Sequence, residues 1–93
     1  MSHTTLTVVN DRLGANEPYV VTVKAVGGSY YNLTGVPSTS PTEVTIPSKR
    51  GNSATWSALP IDEQYTVTAA YTDNRGRTTY TSKVAPPWAV SFK

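Results

Sequence analysis

The stretch LPIDEQYTVTAAYTDNRGR, residues 59–77, decides how the rest of the chain is read. From Tyr65 onward the side chains alternate. Tyr65, Val67, Ala69 and Tyr71 share one face of a strand, and Thr66, Thr68, Ala70 and Thr72 share the other, because successive strand residues point to opposite sides. The strand stops at Asp73-Asn74-Arg75-Gly76-Arg77, where Asn and Gly supply the turn of a hairpin. Upstream, Leu59 stands six positions before Tyr65. A tyrosine at the head of a strand can bury its ring and return its hydroxyl to the backbone just upstream, which pins a crossover between two sheets. Asp62 and Glu63 are then left on the exposed crossover.

The composition agrees with an all-β chain. Thr, Val, Tyr and Ser are abundant and Leu, Glu and Lys are few, a choice that suits a pleated, half-buried surface. No apolar stripe of helical period runs beyond two turns. With 93 residues the chain is one domain, 1–93, with a modest core. It has no cysteine, so neither disulfides nor thiolate metal sites staple it. No N-terminal stretch has the charged start, apolar run and small-residue cleavage site of a signal peptide, and no apolar run approaches the ~20 residues of a membrane span. The expectation is a soluble chain, cytoplasmic or an excised extracellular domain. A formal net charge of +2 is too weak by itself to point to nucleic acid.

Turn signals recur at the spacing of a sandwich or barrel. They divide the chain into strands over residues 5–9, 19–26, 30–34, 43–46, 54–59, 64–72 and 78–84. That is a seven-stranded antiparallel β-sandwich, or eight-stranded if residues 88–92 stand apart beyond Pro86-Pro87. In the second strand Tyr19, Val21, Val23 and Ala25 form the core face, since Lys24 belongs to the other. In the strand over 54–59, Ala54, Trp56 and Ala58 are expected inward. The loop over 10–16 is polar, with Gly14 and Asn16 suited to positive φ.

Beyond alternation, the chain resembles the fibronectin type III family, and more broadly the immunoglobulin-like sandwiches. Residues 30–83 carry the resemblance. They include the aromatic-rich Tyr30-Tyr31-Asn32-Leu33-Thr34, the proline-ended Glu43-Val44-Thr45-Ile46-Pro47, then Ser53-Ala54-Thr55-Trp56-Ser57-Ala58-Leu59, the Leu59-to-Tyr65 spacing, and Tyr65-Thr66-Val67-Thr68. Two features depart from the family. Its second strand usually carries a Trp, absent from residues 19–26, and its crossover proline tends to lie one residue later than Pro60. The tip Arg75-Gly76-Arg77 sits where integrin-binding modules carry Arg-Gly-Asp. A guanidinium cannot replace the metal-bridging carboxylate, so integrin binding is not implied.

The resemblance implies that three loops gather at one pole: Gly27-Gly28-Ser29, residues 48–52 and residues 73–77. Lys49, Arg50, Arg75 and Arg77 would meet there, four of the eight Lys and Arg, with Asn74 and Gly76 shaping the loop. Such a pole suits an anionic partner, an acidic protein surface, a sulfated glycan or, less in keeping with the weak net charge, nucleic acid, although solvated loops also carry charge without any function. An alternative is a small lectin, with Tyr30, Tyr31 and Trp88 stacking on a sugar beside Asn32. Against it, bulky aromatics are what a small core needs, and Tyr19, Trp56, Tyr65 and Tyr71 read as core. A third class is a structural protomer that pairs with copies of itself along open sheet edges. Asn32-Leu33-Thr34 is a glycosylation triplet, meaningful only in a eukaryotic secreted protein.

An enzyme is not expected. The only His, His3, lies in a terminal segment expected to fray, and no nucleophile motif or phosphate-cradling loop is present. Asp62 and Glu63 are neighbours and point apart in extended chain, so they cannot flank a substrate. No ligand cluster for a metal stands out, and no cofactor is expected.

Overall fold

The computed structural model describes residues 2–14 and 16–93; the loop position Ala15 lies outside them. Among the described residues nine strands follow one another: β1 His3–Asn10, β2 Tyr19–Ala25, β3 Tyr30–Tyr31, β4 Pro37–Ser38, β5 Val44–Ile46, β6 Ser53–Pro60, β7 Tyr65–Thr72, β8 Thr78–Ala85 and β9 Ala89–Phe92. They form two sheets. One has the order β6-β1-β9, the other β4-β3-β2-β7-β8, with β5 also paired to β2. No helix is long and apolar enough to cross a membrane among the described residues.

The strand count therefore exceeds the seven or eight read from the sequence. Residues 30–34 give only the two residues of β3, because Asn32 turns the chain. Its Oδ1 accepts from the Thr34 amide, the Thr34 hydroxyl and the Val36 amide. An extra strand, β4, lies inside what read as a proline loop. Residues 88–92 yield a separate strand, β9, in the smaller sheet. It runs parallel to β1, so the sandwich is not wholly antiparallel. His3, expected in a fraying segment, opens β1 and is registered opposite Pro60.

The core is one cluster between the sheets. Leu6 and Val8 come from β1, Tyr19, Val21, Val23 and Ala25 from β2, Trp56 and Leu59 from β6, Tyr65, Val67 and Ala69 from β7, and Val90 and Phe92 from β9. Each such large apolar side chain contributes about 1.5–3 kcal/mol when fully buried. Aromatics close both ends of the cluster. Tyr19 meets Tyr71 and Phe92 at 5.4 and 6.0 Å between centroids. At the other end Tyr65 meets Tyr31 and Trp88, both at 5.8 Å.

The crossover before β7 is pinned as its spacing suggests. The Tyr65 ring is buried and its hydroxyl donates to the Pro60 carbonyl at 2.5 Å. On β6 the inward set differs from simple alternation. Thr4 faces Leu59 but Leu6 faces Trp56, so Thr5 alone opposes both Ser57 and Ala58. This β-bulge turns Trp56 and Leu59 to the same side. Leu59, and not Ala58, takes the second core position.

Candidate functional site

The strand registers fix which loops share an end. Tyr19 lies opposite Tyr71 and opposite Ile46, while Ala25 lies opposite Tyr65. The loops after β5 and after β7 therefore leave the sandwich at the Tyr19–Tyr71 end. Gly27-Gly28-Ser29 sits at the far end, where Val26 donates to the Gln64 carbonyl, and does not join the basic loops. The extra reversal at β4 changes the parity of up and down strands between β2 and β5, which the sequence reading missed. The loop after β1 takes the third place.

Asn10 binds that loop into the pole. It is fully buried at the end of β1, following the inward positions Leu6 and Val8. Its Nδ2 donates to the carbonyls of Pro47 and Ser48 at 3.0 and 3.2 Å, and its Oδ1 accepts from the Arg12 amide at 3.0 Å. Its backbone adds bonds with Asn52 and Gly51. A buried amide must be satisfied in this way. One side chain thereby ties residues 11–12 to residues 47–52.

The charges then assemble at this end. Arg50 Nε bonds Asp11 Oδ1 at 2.9 Å. Arg12 lays its guanidinium over the Tyr71 ring, 4.1 Å from the centroid, a cation–π contact that holds the side chain without neutralising it. In the hairpin after β7, Asp73 Oδ1 accepts from the Arg75 and Arg77 amides at 2.9 Å each. Its Oδ2 lies 3.4 Å from Arg77 Nε. The bond from the Arg77 amide holds the Asp73 carboxyl below its ordinary value; desolvation opposes it, and the Arg75 amide and the Arg77 side chain add lesser support. Gly76 carries the positive φ of the turn at 79°, and Asn74 does not take one. Among the described residues Lys49 and Arg75 make no ion pair.

Lys93 follows Phe92, which is registered beside Asn10, so it too stands at this end. Six of the eight Lys and Arg thus share one pole: Arg12, Lys49, Arg50, Arg75, Arg77 and Lys93. Asp11, Glu17 and Asp73 accompany them, whereas Asp62 and Glu63 lie on the crossover at the opposite end. The four cations read from sequence come together, and Arg12 and Lys93 add to them. Asn10 read as the first residue of the polar loop over 10–16, but β1 extends to it and turns it inward; Arg12 and Lys93 had no local signal.

The sugar-stacking set does not form a surface. Tyr30 and Tyr31 point to opposite faces of β3. The Tyr31 ring is buried against Tyr65, and Trp88 is half-buried on the same ring. Asn32 Oδ1 is occupied by its own turn, while Tyr30 lies under Lys24 Nζ at 5.4 Å. Among the described residues no three His, Asp or Glu gather to hold a metal. No family model, no curated protein and no solved structure matches this chain.

Proposed function

We propose that the chain is a non-enzymatic binding module that presents the Tyr19–Tyr71 pole to an anionic partner, an acidic protein surface or a sulfated glycan. The gathering of six cations at one end, with Asp62 and Glu63 at the other, carries the reading. A field of this kind orients an anionic partner and speeds its encounter. Arg12 and Arg75 are the principal contacts: one is held by a ring and not by a carboxylate, the other is unpaired. Arg50 and Arg77 are partly neutralised by Asp11 and Asp73 and act more through loop geometry.

The finer identity we infer is a fibronectin type III-like or immunoglobulin-like sandwich. In such folds strands B and E share one sheet and C, F and G the other. The pair β1–β6 and the trio β2–β7–β8 support that mapping, in which β2 answers to strand C and not to the second strand that residues 19–26 were compared with, as does the tyrosine crossover before β7. The parallel β9 is a departure from it.

The test is salt-dependent retention on heparin and on an acidic peptide, for wild type, an Arg12→Ala/Arg75→Ala pair and a Lys24→Ala/Lys83→Ala pair. The pole variant elutes at much lower salt, while the second pair, outside the pole, moves little. Equal losses from both pairs, or no retention of wild type, would reject the reading.

A further inference from the structure

Each free edge of a sheet is a template for another strand, and folded proteins guard edges with shortness, proline, bulges, charges or a covering loop. Most edges here are guarded. Strands β4 and β5 have two and three residues, with Pro37 inside the first and Pro47 after the second. Strand β6 is bulged, and its Ser57 amide is taken by the Leu33 carbonyl. Strand β9 has four residues, and Lys83 Nζ bonds its Ser91 carbonyl at 2.5 Å.

Strand β8 differs. It is eight residues long, and every residue from Thr78 to Val84 is exposed. Its pairing with β7 runs without a bulge from Tyr65–Ala85 to Thr72–Thr78. Residues 78–84 contain no proline, and their one charge, Lys83, is turned inward to β9 and lies 5.5 Å from the Phe92 ring. Tyr80 is 72% exposed and Val84 65%.

The direction of the free hydrogen-bonding groups follows from the ladder. Asp73 donates to the Arg77 carbonyl, so the odd-numbered residues of β8 bond to β7, and antiparallel pairs alternate. The amides and carbonyls of Thr78, Tyr80, Ser82 and Val84 therefore point away from the sheet. This pattern is its own complement. When a second β8 runs antiparallel about a two-fold axis at Thr81, Thr78 faces Val84 and Tyr80 faces Ser82. All of the outward groups are then paired. Lys83 faces Thr79 and Arg77 faces Ala85, so no like charges meet. The two Tyr80 rings lie diagonally across the axis, within aromatic reach.

We propose that the β8 edge is the interface of a symmetric homodimer, in which two copies join their larger sheets through residues 78–84. The surface is separate from the basic pole, and the dimer carries two such poles.

Light scattering and sedimentation over a dilution series test this on the intact chain. Wild type has about twice the 10.0 kDa chain mass at high concentration and dissociates on dilution. Ser82→Pro removes an outward amide and no backbone bond to β7, losing only the exposed side-chain bond between the Ser82 and Thr68 hydroxyls; proline is tolerated on an edge whose N–H faces solvent. Tyr80→Lys places a charge at the interface on a residue already exposed. Both variants are folded by circular dichroism and have the mass of one chain. The amides of Tyr80 and Ser82 exchange more slowly as wild type is concentrated. A wild type that is monomeric at every concentration, or variants that both remain dimeric, would overturn the proposal.

Discussion

Trp56 and Leu59 stand three apart on one strand and both point into the core. The bulge at Ser57-Ala58 makes this possible, and the turn after β3 packs on it. Ser57 gives its amide and its hydroxyl to the Leu33 carbonyl, at 2.9 and 3.0 Å. Trp56 Nε1 donates to the Tyr31 carbonyl at 3.0 Å. Gly35 lets the turn approach so closely that an added Cβ would overlap the Ala58 carbonyl oxygen.

Gly35→Ala is accordingly a severe substitution. Its φ is +83°, which alone costs about 1–2 kcal/mol for a side chain, and the overlap adds to it. Gly76→Ala, at φ +79° in open space, has only the first cost. Urea denaturation should place the Gly35 variant clearly below the Gly76 variant; equal midpoints would show that the turn shifts freely.

Asn10→Ala leaves two carbonyls and one amide without their partners and should cost about 2–3 kcal/mol. It should also loosen the pole. Faster amide exchange at Arg12 and Gly51 than in wild type is the expected signature, with exchange in β2 and β7 much less affected.

Tyr65→Phe keeps the ring and removes the bond to Pro60, a loss of about 1 kcal/mol at neutral pH. Burial, then the nearby Glu63, raises the Tyr65 hydroxyl well above the ordinary 10.0. Tyr31 shifts the same way for the same leading reason. Above pH 10.0 the unfolded chain loses protons that the folded chain keeps, so stability present below that pH falls as pH rises. The decline should be shallower in Tyr65→Phe, as measured by denaturation midpoints on either side of that pH.

Asp73 behaves in the opposite sense. The Arg77 and Arg75 amides depress its titration, so the hairpin is supported above the ordinary value of 3.8 and loses that support as pH falls through the folded value. In nuclear magnetic resonance titrations the Arg75 and Arg77 amides should shift together at acid pH. Asp73→Asn should abolish this shared transition while retaining an acceptor for the turn.

Much of the fold was legible locally. The alternation of Tyr19, Val21, Val23 and Ala25, and of Tyr65, Val67 and Ala69, picks out the faces that the core uses. The Leu59-to-Tyr65 spacing marks the crossover bond to Pro60. Bulges and two-residue strands were not legible, because a single inserted residue at Ser57-Ala58 or a brief pairing at Pro37–Ser38 leaves no periodic signal. For the candidate site, the loops after β5 and β7 were brought together only by the resemblance, and Arg12 and Lys93 had no signal at all, because strand order along the chain does not fix which ends meet.

By itself, then, the sequence determined that the chain is all-β and which side chains of its long strands are apolar-facing, since period-two alternation is a local property of the backbone. Only the tertiary structure decided which loops meet, because that depends on the number of chain reversals, and the short β4 changes it. The tertiary structure likewise decided that β9 joins β1 and leaves β8 as a bare edge, since strand partners are chosen by long-range packing and not by neighbours in the chain.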